Sequence, residues 1–409
     1  MPNWINKKII AWSLYDFADT AFSALFITFF FPILIKVHLG GNEFQIGLAM
    51  GLSVLIAALL VPLIGAISDA SGKRMPILVI TALLTAGITA LTGYAELSLA
   101  LILGSLANFT NLISKNIYNA KMIDIAPRSL FGSLSGFGVA VGYFGTIASL
   151  AIAYPLFSYF GWESLNSIRA AFWEAGIFYI LFSLPLFFFV PDTVRSGSPQ
   201  VPRPTLSFFD ALKTGLREIK KTITSIRQFP VFAKFLAASF FYNNAMNTII
   251  IFLYLYGRQE IGLGIRQFFP VFAIMAFAAA IGSYVFGKLS DTFGPIKLIK
   301  LALYIWIATI IYLLFITTYA SFLIAGILGG VALGAIWTLN RHMIAAISPE
   351  HKIAEWFGFE GLTEKFSGVV GPIVFGYLVT VSGYPAALIS MAIFFLIGLA
   401  LIRTIKYEF

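Results

Sequence analysis

Asp16 and Asp19 stand three residues apart in a run from Ile9 to Ile35 that is otherwise apolar, aromatic or small. On a helix that spacing puts both carboxyls on one face. A charge at mid-membrane costs about 2.5–3.5 kcal/mol on insertion scales, so such a side chain must be paired, hydrated or protonated. Lys115 lies in a second apolar run at a similar depth, about 10–15 Å inside the same end, with Asn119 one turn nearer that end. The expectation is one cluster of Asp16, Asp19 and Lys115. Two chemistries fit it. A fixed ion pair would tie two helices together, but it accounts for only one carboxylate. The other would then bind and release a proton, or engage a cationic group on a substrate.

A second set stands in the C-terminal half: Asn243, Asn244 and Asn247, then Asn340 and Arg341, then Glu360, Glu364 and Lys365. Arg341 and Glu360 fall at similar depth and are expected to pair, as a bridge that gates an opening or as a static one. Lys365 is deeper and is expected to receive a substrate carboxylate. With Asp19 it would offer both signs of charge, as a zwitterion requires. Trp12, Tyr15, Tyr118, Tyr143, Tyr242 and Trp337 are candidate cavity aromatics. Glu174 is expected to pair with Arg169.

These residues need elements that hold them in lipid. The 409 residues are 59% hydrophobic and 11% charged, against about 25% charged in soluble domains. Apolar runs recur along the chain, many longer than the roughly 18 residues that cross a bilayer. They are continuous rather than alternating, which favours helices over a barrel. The expected spans are 9–36, 44–68, 76–95, 97–123, 132–160 and 170–190, then 231–257, 267–290, 297–319, 321–346, 353–381 and 384–404. The domain reading is a six-helix bundle at 1–190, a linker at 191–229 and a second six-helix bundle at 230–409. No cleavable signal is expected at the start.

The net charge of +9 falls in alternate loops, which argues against nucleic acid as a partner and places both termini in the cytoplasm by the positive-inside rule. Lys36, Arg169, Arg258 and Arg266 are exceptions. In the linker, Leu212, Leu216, Ile219, Ile223 and Ile226 recur at helical spacing among Lys and Arg, the pattern of a basic amphipathic helix against an anionic leaflet. It is either a plain connector or a regulatory helix. There is no cysteine, and His38, His342 and His351 make no ligand cluster. Neither a metal nor a cofactor is expected. Phosphate-binding loops are missing too, which argues against an ATP-driven pump.

The two halves repeat each other. Gly65, Ser68, Asp69 and Gly72 match Gly287, Ser290, Asp291 and Gly294 at a constant offset of 222. Pro127 and Pro349, and Gly136 and Gly358, keep that offset. Tyr15–Asp16 resembles Tyr242–Asn243 at an offset of 227. Two six-helix halves in one orientation resemble the parallel repeat of the major facilitator superfamily. The repeated loop, with Lys73 and Arg74 following the first copy, resembles that superfamily's signature between helices 2 and 3. The resemblance implies a conformational latch built from Gly65, Asp69, Gly72, Lys73, Arg74, Gly287, Asp291 and Gly294. Ala70 and Thr292 replace the usual basic residue after each aspartate.

A closer resemblance rests on Trp12, Tyr15, Asp16, Ala18 and Phe22 in the first run, with Tyr118–Asn119, Asp124, Pro127, Gly136, Gly138, Gly142 and Tyr143. In the second half Tyr242–Asn243, Arg341, Glu355, Gly358, Lys365 and Gly371–Pro372 continue it. The chain is similar to the Unknown Major Facilitator group, the branch that includes the autophagy-related vacuolar amino-acid effluxer. Asp19 stands where that group usually has asparagine, and Glu360 and Glu364 also depart from it. The resemblance implies a non-enzymatic, monomeric, multi-pass secondary transporter working by alternating access. Amino-acid efflux is the leading activity, driven by a proton gradient or by the solute gradient alone; a prokaryotic source would place it in the plasma membrane. A receptor or scaffold that kept the fold, or a carrier of another organic or metal ion, is the competing reading.

Overall fold

A computed structural model describes residues 6–71, 74–125, 131–192, 229–348 and 353–406; side chains at some positions within these helices, Asp69 and Lys365 among them, lie outside the description. The linker helix expected around Leu212–Ile226 lies outside it as well, as do Gly72, Lys73, Pro127, Pro349 and His351. The described residues are all-helical. That follows from the solvent: lipid offers no partner to a bare amide, so each span closes its hydrogen bonds within itself.

The first half comprises α1 (Lys7–His38), α2 (Glu43–Ser71), α3 (Arg74–Thr92), α4 (Leu97–Ala120), α5 (Phe131–Phe160) and α6 (Leu165–Phe189). The second comprises α7 (Pro230–Ile261), α8 (Ile265–Phe293), α9 (Pro295–Leu313) and α10 (Tyr319–Ile347). A final helical run, Ile353–Arg403, is broken at Gly383, whose φ of 80° and ψ of 174° no helix holds. It therefore contains two spans, α11 before Gly383 and α12 after it. Among the described residues that makes twelve long helices, besides a single helical turn at Met122–Ile125. Asn6 caps α1 by accepting from the backbone N–H of Lys8 and Ile9, and Gly262 ends α7 in the left-handed region at φ 76°.

The chain divides into two compact units, Met1–Leu34 with Ser53–Lys220, and Ile35–Leu52 with Lys221–Phe409. The second unit thus takes in the end of α1 and the start of α2. There Glu43, 2% exposed, accepts from Lys36 Nζ at 3.0 Å and from the Tyr384 hydroxyl at 2.8 Å. Lys36 was an exception to the loop-charge pattern, and Glu43 neutralises it. Arg169 and Arg258 are also engaged. Arg169 donates to the Gly93 carbonyl and lies 4.9 Å from the centroid of the Tyr94 ring, while Arg258 donates to the Tyr254 hydroxyl.

Candidate functional site

In the first unit α1 packs against α5 and α6. Its contact with α5 runs along glycines. A side chain on Gly138 would meet Asp16 Oδ2 at 2.9 Å, one on Gly142 would strike the Thr20 hydroxyl, and one on Gly145 would strike the Phe17 carbonyl. Removing those side chains lets two backbones close on each other.

On the other side of α1 lies a polar chain. Asp19 is fully buried. Its Oδ1 accepts from Asn111 Nδ2 at 2.7 Å, and its Oδ2 lies 3.1 Å from Lys115 Nζ, an ion contact at an angle outside hydrogen-bond geometry. Asn111 Nδ2 also reaches the Tyr179 hydroxyl at 3.3 Å. The Tyr179 hydroxyl is hydrogen-bonded to the Tyr15 hydroxyl at 2.6 Å, and Tyr15 donates to Ser114 Oγ at 2.7 Å. Tyr15 is stacked on Tyr118, which is stacked on Trp12. The asymmetry of the ion pair is what matters chemically. Asp19 is sealed, whereas the Lys115 side chain is 45% exposed. Its ammonium can meet a second anion without leaving the first.

Asp16 is half-buried against Gly138, one turn from Asp19, and Asn119 is exposed at the end of α4. Spacing in the sequence left Asn111, Ser114 and Tyr179 unmarked. In α4, Asn108, Asn111, Lys115 and Tyr118 recur at gaps of three, four and three, the signature of one polar face.

The pairing expected between Glu174 and Arg169 does not form. Glu174 Oε1 accepts from Ser149 Oγ at 2.7 Å, while Arg169 turns to Gly93 and Asn166. A separation of five residues sets two side chains about 140° apart around a helix, so they cannot meet.

In the second unit the Tyr242 hydroxyl donates to Asn340 Oδ1 at 2.6 Å, and Asn340 Nδ2 reaches Asn243 Oδ1 at 3.5 Å. Asn244 Oδ1 accepts the backbone N–H of Gly371 at 2.7 Å, beside Pro372. Asn247 is half-buried. Glu360, 9% exposed, feels the charges of both Arg341 and Glu364, the latter one turn along α11.

Of the expected latch, Gly65 and Asp69 lie within α2. Arg74 donates to the Ala120 carbonyl and lies 3.8 Å from Asp124. Asp291 is exposed near the end of α8 and Gly294 caps it. A side chain on Gly287 would meet Thr338 of α10 at 3.2 Å. Ser290 donates to the Gly287 carbonyl and pairs with His342 Nδ1 at 2.7 Å.

Beside Arg74 stands a cluster that the sequence reading missed. Lys121 is fully buried, 2.9 Å from Asp192 and 3.3 Å from Asp124. Asp192 also caps α3, both its oxygens lying 3.1 Å from the Met75 N–H. Asp192→Ala is expected to lower stability by about 1–2 kcal/mol, the size of a lost N-cap, because Lys121 keeps Asp124 and the Pro191 carbonyl. Thermal unfolding of the purified protein measures it; an unchanged midpoint would show the cap to be idle.

A family profile described as "Vacuole effluxer Atg22 like" matches residues 121–408. An uncharacterized MFS-type transporter, YxiO of Bacillus subtilis (strain 168), is 25% identical over 100% of this chain and 97% of its own. Autophagy-related protein 22 of Kluyveromyces lactis is 21% identical over 60% of this chain and 52% of its own. Among solved structures, the nucleoside transporter NupG superposes with a TM-score of 0.73 at 13% identity, covering 98% of this chain and 99% of its own. A bacterial homolog of the human lysosomal transporter Spinster gives 0.71 at 16% identity, covering 98% and 97%. The profile spans well over half of the sequence, from Lys121 just after α4 through α12. With the twelve helices and the buried charges of α1 and α4, this makes the chain a member of the Atg22-like family of major facilitator transporters.

Proposed function

We propose that this transporter exports zwitterionic amino acids by alternating access and couples their movement to protons. The observation that carries the reading is the Asp19–Lys115 pair, sealed on its acidic side and open on its basic side. A bilayer-spanning helix tolerates such charges where they serve a path for solute or proton. The open ammonium suits a substrate carboxylate, and Asp16, one turn away, suits a substrate ammonium or a proton. Asn243, Asn247, Arg341, Glu360, Glu364 and Lys365 are the proposed contributions of the second half to substrate or proton binding. The two glycine–aspartate loops are the proposed latch. On the same reading the protein is a monomer in a plasma membrane with both termini cytoplasmic. The vacuole-effluxer description of the matching family profile, and the efflux-pump names of relatives such as PmrA of Streptococcus pneumoniae, favour export.

Proteoliposomes loaded with a labelled amino acid test it. Efflux is expected to be accelerated by an imposed pH gradient and to be inhibited by free amino acids but not by their methyl esters, which lack the carboxylate. Equal inhibition by acid and ester would sink the carboxylate assignment. Binding of amino acids without any flux would favour a receptor that kept the fold.

A further inference from the structure

Four acidic residues are buried among the described residues, and three have a cation at hand: Lys115 for Asp19, Lys36 for Glu43 and Arg341 for Glu360. Glu174 has none. It is 8% exposed on α6, its Oε1 accepts from Ser149 Oγ, and its buried Oε2 has no hydrogen-bond partner among the described residues. Among the described residues no ion pair reaches it. Apart from Arg74 at its start, α3 carries no acid or base; α5 has neither, and its ionisable groups are Tyr143, Tyr154 and Tyr159. On α6 itself Arg169 is held by Gly93 and Asn166, and Tyr179 by Tyr15 and Asn111. The remaining neighbour, α1, carries Asp16, Asp19 and Tyr15 in its middle, Lys7 and Lys8 at its start, and Lys36 and His38 at its end, where Lys36 is held by Glu43.

The position of Ser149 adds an independent fact. It falls on the same face of α5 as Gly138, Gly142 and Gly145, at gaps of four, three and four. That face meets Asp16 Oδ2 and the Thr20 hydroxyl of α1. The seam therefore begins at one carboxyl, passes a hydroxyl, and ends about 16 Å further along at the Ser149–Glu174 pair.

We propose that Glu174, held by Ser149, is a second proton-binding site of the first unit, standing at the far end of the α1–α5 seam from Asp16. A proton taken from water binds Oε2, while Oε1 keeps the Ser149 hydrogen bond; on release the carboxylate stays anchored through that bond and the proton returns to water. The site deepens the proton coupling proposed above and rests on it for its use in transport, though not for its existence.

Infrared difference spectra of the purified full chain, taken between acid and alkaline pH, test the site itself. A protonated-carboxyl band that titrates is expected in the wild type, lost in Glu174→Gln and shifted to higher frequency in Ser149→Ala, which removes the hydrogen bond but leaves the acid. Identical spectra for wild type and Glu174→Gln would overturn the proposal. In proteoliposomes Glu174→Gln is expected to lose the response of efflux to a pH gradient; a full response would overturn the role in coupling. If the wild type itself shows no response, proton coupling fails as a whole and the infrared result alone decides the site.

Discussion

Replacing Lys115 by methionine is expected to lower substrate efflux by about a hundredfold and stability by about 3–5 kcal/mol, because Asp19 would be left buried with no cation. The two losses have separable causes. Stability falls because an unpaired carboxylate sits where neither water nor a positive charge reaches it. Efflux falls because the exposed ammonium is the proposed seat of the substrate carboxylate, and about 3 kcal/mol of lost attraction is roughly two factors of ten. The double variant Asp19→Asn with Lys115→Met separates them. A neutral amide in place of the acid can still accept from Asn111, so thermal stability is expected to recover to within about 1 kcal/mol of wild type. Efflux is expected to stay low. If transport returns together with stability, the pair is only a tie between α1 and α4, and the substrate is held elsewhere.

The same pair shows how far residue type and depth carry an inference. Asp19 and Lys115 are 96 residues apart, yet each is costly alone in a helical bundle, and equal depth narrows the choice of partner. Neutral groups give no such signal. Asn111 donates to Asp19 and also reaches Tyr179, but an asparagine or tyrosine in a span is common enough that only the periodicity of α4 singles out Asn111, and nothing in α6 singles out Tyr179. Lys121 was hidden for a related reason. A lysine at a helix end reads as a headgroup contact, and only the folded chain returns Asp192 to it from beyond α6.

Fold class was legible because lipid leaves the backbone few choices. The local departures from ideal helix were not. Ser23–Phe30 and Leu34–His38 of α1 are wound as π-helix, and no change of period in this mostly apolar stretch marks the change of winding. Each unit also keeps a trace of the repeat that sequence matching registers only as a shared tyrosine. Tyr15 stacks on Tyr118 of α4, and its counterpart Tyr242 donates to Asn340 of α10, the position 222 residues beyond Tyr118. Fold symmetry preserved the meeting of the two positions while the chemistry between them diverged from ring stacking to a hydrogen bond. That divergence gives the first half a closed aromatic wall behind Asp19 and the second an amide pair with an unpartnered buried Nδ2 on Asn243.

Gly145→Val is the substitution expected to damage folding most in the first unit. A Cβ at this position lies on the Phe17 carbonyl and within 2.8 Å of its carbon, and these are backbone atoms that no rotamer change can move. Overpacking a core typically costs about 1–3 kcal/mol when side chains can yield; here α1 must be displaced from α5 as a body, so the upper end or beyond is expected. Displacing α1 also moves Asp19 against Asn111 and Lys115, which couples the packing fault to the site. Gly87→Val is the matched control, since nothing lies within 4 Å of a Cβ added there on α3. The measurements are the yield of monodisperse protein and its thermal midpoint. Gly87→Val is expected to match wild type and Gly145→Val to aggregate or unfold many degrees lower. Equal behaviour of the two valines would mean that α1 and α5 do not close on each other along the glycine seam, and the approach of Thr20 and Asp16 to α5 would go with it.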